Sequence, residues 1–182
     1  MPNESIKSVV ARQWVEKAED DYKLAVYVLT MKQNVPFIGI CFHAQQCVEK
    51  YIKAILIVHE IDFPKTHDLE RLIHLLPKTI LLPIAVSDQA LLTTYAVTAR
   101  YPGDDEPVSR ADARHTMSVM RKVRKAARNF LSKNIGLIKP RKAVSRKKME
   151  LVRGCLKDKL SESVDVYLEK TRGKVDMPRK RT

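Results

Sequence analysis

The sequence predicts an all-α protein: a four- to five-helix up-and-down bundle followed by a basic C-terminal helical extension. Only five of its 182 residues are glycine. Apolar residues recur at spacings of three and four over long stretches, the period of a helix with one buried face. Pro36, Pro77, Pro83 and Pro102 fall between those stretches rather than within them, where a helix is expected to break.

The first helix is expected from about Ile6 to Met31, with Val10, Trp14, Ala18, Tyr22, Ala25 and Leu29 as its apolar stripe. Glu16, Glu19, Asp20 and Lys23 are placed on its other side. Asn34-Val35-Pro36 ends that pattern, and Pro36 suits the first turn of a second helix running to about His59. This second helix is the most apolar: Ile40, Cys41, Ala44, Val48, Tyr51, Ile52, Ile55 and Leu56 form a broad face, which predicts a central position. Glu49 and Lys53 stand four apart in the favourable order for a surface ion pair, worth only about 0.3–0.5 kcal/mol. Gln45 and Gln46 are expected to bond between helices.

A short helix follows from Asp68 to Leu76, with Thr66 as its N-cap and His67-Asp68 fixing its start. The fourth helix is expected over about Ser87 to Arg100. Ser109, with Asp112 three residues later, has the form of a capping box for the fifth, which reaches about Lys133. Ala113, Met117, Met120, Val123, Ala127, Phe130 and Leu131 face its core side. Arg114, Arg121, Lys122, Lys125 and Arg128 form a basic stripe that either binds phosphates or is an ordinary solvated face. Residues 1–137 are thus expected to form the bundle. Residues 138–182 form the extension: a linker at Lys139-Pro140-Arg141-Lys142, an amphipathic helix over Ser145 to Thr171, and a disordered end.

The net charge of +13 is uneven. Lys139 to Thr182 contains 15 basic and 6 acidic residues, so most of the excess sits in the extension, which suits a polyanionic partner. No apolar run is long enough to cross a membrane, and the polar Met1-Pro2-Asn3-Glu4-Ser5 start is unlike a signal peptide. Cys41, Cys47 and Cys155 lack metal-ligand spacing, and two lie within an apolar helical pattern, so a cytoplasmic protein with reduced core cysteines is expected. Neither a metal nor a cofactor is called for. There is no glycine-rich phosphate loop, no Cys-x-x-Cys and no nucleophile elbow, which disfavours an ordinary metabolic enzyme.

Arg100 stands at the expected end of the fourth helix, because Tyr101 precedes Pro102 and is disfavoured from the helical region. Its guanidinium either caps the helix and pairs with Asp104, Asp105 and Glu106, or grips a phosphate bidentately.

Four segments then line up in order: Phe42-His43-Ala44-Gln45-Gln46-Cys47-Val48-Glu49-Lys50-Tyr51-Ile52-Lys53-Ala54, Lys65-Thr66-His67-Asp68-Leu69, Tyr95 with Ala99-Arg100-Tyr101-Pro102, and the long closing helix. Together with Ala18-Glu19-Asp20-Asp21-Tyr22 they resemble the HEPN domain over roughly Val9 to Leu131. The resemblance implies a helical module that binds nucleotides or RNA, is homodimeric, and works beside a minimal nucleotidyltransferase in a toxin–antitoxin-like or defence pair. It makes Arg100 and Tyr101 the phosphate contacts, with Lys50, Lys53 and His43 as further candidates.

Active members of that family are metal-independent RNases that use Arg-x(4–6)-His. Histidine moves the proton of the ribose 2′-hydroxyl while arginine stabilises phosphate charge. Here Asp105, Glu106 and Pro107 occupy the histidine's place after Arg100. Arg110 and His115 match the spacing and are the catalytic candidates, although Ala111 replaces the usual polar residue after the arginine. In the Arg-Tyr-Pro branch, which this chain most resembles, no histidine is expected. Three readings therefore stand: a non-catalytic binding module, a metal-independent RNase toxin, and a dimeric scaffold whose tail helix docks a partner.

Overall fold

The computed structural model of the chain describes residues 6–99 and 107–135. Among them are five helices and no strand: α1 (Ile6–Leu29), α2 (Phe37–Val58), α3 (Leu69–His74), α4 (Val86–Thr98) and α5 (Arg110–Ile135). The expected all-α bundle is therefore observed. Arg100, Tyr101 and the extension lie outside the described residues.

Fourteen of the 22 residues of α2 are buried, which puts this helix at the centre of the bundle. α1 and α5 pack along it, and α4 closes a further side with α3 between them. Lys7 near the start of α1 pairs with Glu60 just beyond α2 (2.7 Å), while Asp21 meets His43 near the start of α2, so α1 and α2 are antiparallel. Thr116 lies against Cys41 and Phe130 stacks on His59, so α5 runs parallel to α2. Tyr51, Ile52, Ile55, Leu56, Leu92, Met117, Met120 and Leu131 are sealed from solvent. Burial of each large apolar side chain contributes about 1.5–3 kcal/mol.

The helix ends show which local signals act. Pro36 is the N-cap of α2 rather than a first-turn residue, and its carbonyl accepts from the amides of Gly39 and Ile40. α2 stops where Glu60 adopts a left-handed φ of 58°. The Ile61 amide then donates to the Leu56 carbonyl and the Glu60 amide to Ile57, the bonding of a helix-terminating Schellman turn. Asp68, not Thr66, caps α3: its carboxylate accepts from the Arg71 amide, and Thr66 Oγ1 accepts from Asp68. The Ser109 capping box is present as expected, with reciprocal bonds between Ser109 and Asp112.

Three expectations about side-chain placement are corrected. The sealed stripe of α1 is Ala11, Val15, Ala18, Asp21 and Ala25, and Val10, Trp14, Tyr22 and Leu29 flank it half-buried. Small residues allow α1 to approach α2 closely, which leaves the large ones no room at the centre of the seam. Glu19, assigned to the outer side, turns inward to α2 and α5. The Glu49–Lys53 pair, read as a surface pair, is buried, with side-chain exposures of 3% and 8%. Cys41 and Cys47 are free and buried, and burial pushes both thiols above their ordinary pKa.

Candidate functional site

Polar chemistry gathers at three places on α2: its start beside α5, its middle between α1 and α5, and its end beneath the 63–67 loop.

At the start, the Ser109 cap launches α5, so that Arg110 and Arg114 occupy its first two turns on one side. Both are exposed, and the Arg110 guanidinium lies 5.7 Å from the centre of the Phe37 ring. With Leu29, Met31 and Val35 these residues line a hollow of about 140 Å³. Neither arginine has a carboxylate partner among the described residues, since the nearby Asp112 is engaged by Ser109. Those bonds, from the Ser109 hydroxyl and then its amide, hold the Asp112 carboxyl below its usual pKa.

His115 takes a different direction. Its Nε2 is 2.7 Å from Asp88 Oδ1 on α4, and the imidazole is half-exposed. Five residues turn a helix by about 140° beyond a full revolution, so Arg110 and His115 point away from one another within one chain. The structure thus places one catalytic candidate over Phe37 and the other against Asp88 of α4.

In the middle, Asp21 is an acidic hub on α1. It accepts from Lys50, and its Oδ1 lies 2.9 Å from His43 Nδ1. Two of the phosphate candidates therefore already share a buried carboxylate. Beside them, Glu19 accepts two bonds from Arg124 (2.7 and 2.6 Å) and one from Tyr51, and Arg128 sits 3.1 Å away. Tyr22 stacks under Arg124, 4.1 Å from ring centre to guanidinium. Burial alone raises the Glu19 pKa, but the hydrogen bonds from Arg124 and Tyr51 outweigh it, and the net shift is downward. Arg128 is consequently not part of a free basic stripe; Arg121, Lys122 and Lys125 stay on the outer side, the first two exposed and Lys125 likewise.

At the far end, Glu49 and Lys53 staple the loop to α2. Lys53 Nζ donates to Glu49 Oε1 (2.7 Å) and to the Thr66 carbonyl (3.1 Å). Gln45 Nε2 donates to Glu49 Oε2 and to the His67 carbonyl, and His67 Nδ1 donates to Glu49 at 2.9 Å. Gln46 donates to Gln45. Instead of bonding between helices, as expected, the two glutamines act within α2 and on the loop. Burial raises the Glu49 pKa, bonds from Lys53, Gln45 and His67 outweigh it, and the carboxyl ends below its ordinary value. Lys53, expected at a phosphate, is thereby set in a buried network.

Glu19 and Asp21 stood in the Ala18-Glu19-Asp20-Asp21-Tyr22 segment without an assigned partner, and Asp88 was not singled out, because an isolated acid on a helix carries no mark of what faces it. Arg114 was legible only as one member of a stripe. Among the described residues no group of three His, Cys, Asp or Glu is arranged to hold a metal ion, and no helix is long and apolar enough to cross a membrane.

A five-helix bundle built around one apolar helix, with paired polar seams, defines an all-α domain of the HEPN type. The HEPN domain model matches residues 11–130, and the chain belongs to the HEPN family. The crystal structure of an archaeal HEPN homologue shares this fold, with a TM-score of 0.51 at 23% identity, covering 66% of this chain and 97% of that one. No curated protein matches the sequence.

Proposed function

We propose that the protein is a HEPN module that binds the phosphates of a nucleotide or RNA at the start of α5, without cleaving them. The observation that carries this reading is the pair Arg110 and Arg114: exposed, one turn apart, beside an aromatic ring, and without a carboxylate partner among the described residues. Arg124 and Arg128 differ, because both already lie against the Glu19 carboxylate. Arginine forks suit phosphate oxygens, and Phe37 offers a face for a base. In the sequence, Arg100 and Tyr101 precede this arginine pair by about ten residues, and we count them with it as phosphate contacts.

The module works in the cytoplasm as a homodimer beside a minimal nucleotidyltransferase, in a toxin–antitoxin-like or defence pair. Val86, Leu91 and Val97 on α4, exposed by 68%, 37% and 58%, supply apolar surface for a second copy. Single-stranded RNA binding by the purified protein is expected to weaken steeply between low and physiological salt. Arg110→Ala together with Arg114→Ala is expected to lower affinity about tenfold or more with the melting temperature unchanged. Equal affinity of the double variant and the wild type would remove this site.

The Asp88–His115 contact favours a second reading, a metal-independent RNase. A carboxylate that holds an exposed imidazole resembles the pairing that orients a general base. In that case RNA is cut in the presence of chelator, and His115→Ala stops the cutting while leaving binding intact. Intact RNA with the wild-type protein rules it out.

A further inference from the structure

The Lys65-Thr66-His67 loop and the Glu49–Lys53 pair have no part in the α5 site. Sixteen residues of α2, about 24 Å of helix rise, separate Phe37 from Lys53. At the Lys53 end a groove of about 490 Å³ opens, lined by Trp14, Lys53, Phe63, Lys65, Thr66 and His67. That volume falls in the range of small-molecule sites.

Its walls are built rather than incidental. Trp14 and Phe63 meet edge-to-face at 6.2 Å with an interplanar angle of 80°, and both line the groove. Lys53 Nζ lies 5.4 Å from the Trp14 ring centre and 5.6 Å from that of Phe63. Its side chain is more than nine-tenths buried, yet it lines the groove. An ammonium has three donors; Glu49 and the Thr66 carbonyl take two, and no acceptor among the described residues takes the third. Exposed Lys65 and half-exposed His67 stand at the rim. None of the described residues that line the groove is acidic, and the Glu49 carboxylate beneath it is paired with Lys53. A buried ion pair is a weak source of stability, because the cost of removing both charges from water offsets their attraction. What this pair does is hold an ammonium and a loop in place between two aromatic rings.

We propose that this groove binds a small molecule with a flat conjugated ring and one anionic group, a phosphate or a carboxylate. The ring packs on Trp14 and Phe63, and the anion meets Lys65 and the remaining Lys53 donor. The site is independent of the α5 reading and neither requires the other.

Trp14 is the chain's one tryptophan, so its indole N–H gives a single reporter resonance in a ¹⁵N–¹H spectrum of the full chain. Adenosine monophosphate and indole-3-acetate represent the two anions; adenosine and inorganic phosphate represent the separate halves. At least one ring-bearing anion is expected to shift the Trp14 resonance saturably, and each half to bind about tenfold more weakly or not at all. Saturation by only one of the two identifies which anion is read. Lys65→Ala is expected to weaken that binding about fivefold at unchanged melting temperature, and the Arg110→Ala/Arg114→Ala protein to bind as the wild type does. The proposal is overturned if neither anion moves the resonance up to about 10 mM, if adenosine binds as well as its monophosphate and neither anion exceeds it, or if Lys65→Ala has no effect.

Discussion

Glu49→Ala is expected to destabilise the bundle by about 3–5 kcal/mol, the cost of leaving one partner of a buried ion pair uncompensated. The variant strands the Lys53 ammonium, which is 6% exposed, and removes the acceptor for both Gln45 and His67. Loss of the staple also releases the loop that carries Thr66 and His67. Urea denaturation followed by circular dichroism measures the change, which corresponds to a fall in melting temperature of roughly 10 °C or more. The joint variant Glu49→Leu/Lys53→Met replaces both charges with apolar groups and is expected to recover most of the loss. A wild-type midpoint for Glu49→Ala alone would show that the network carries no stability.

Glu19→Ala is the second large effect, about 2–3 kcal/mol, between the values for exposed and fully buried pairs because its side chain is 18% exposed. It leaves Arg124, Arg128 and the Tyr51 hydroxyl without their shared acceptor, and it cuts the polar tie from α1 to α5. The same carboxylate predicts an acid limit. The pKa values of Glu19 and Glu49 are both lowered on folding from an ordinary value of 4.5. Above that value both groups are ionised in either state and their stabilisation is complete. As pH falls below it, the unfolded chain takes up protons first, and the stabilisation shrinks until it is gone below the folded pKa. Melting temperatures from pH 7 to pH 3 are therefore expected to drop mainly below about 4.5, and the drop should be smaller in Glu19→Gln. A parallel decline in the two proteins would assign the acid limit to other groups.

Much of the bundle was legible in the sequence. The period of α2 predicted its central place, since a helix apolar over so broad a face must be covered on several sides. The Ser109–Asp112 box marked the start of α5 because its partners are three residues apart and the interaction is local. The end of α2 carried no such mark: Glu60 takes the left-handed position where glycine is usual, and its pairing with Lys7, 53 residues away, is invisible to any local pattern. The α1 stripe was displaced for a related reason. Periodicity selects large apolar residues, whereas close packing against α2 selects Ala11, Ala18 and Ala25.

The candidate sites divide along the same line. The identity of the HEPN module lay in the ordered motifs, because each short segment retains its chemistry whatever its surroundings. Whether a charged residue on those motifs is available depends on what stands opposite it in space. Lys50 and His43 share Asp21, Lys53 is paired with Glu49 and keeps one donor for the groove, and Arg124 and Arg128 lie on Glu19, while Arg110 and Arg114 meet no acid among the described residues. Charge neutralisation acts over a few ångströms between residues tens of positions apart. The sequence by itself therefore determined the helices and the family, and only the tertiary structure decided which cations remain free to bind.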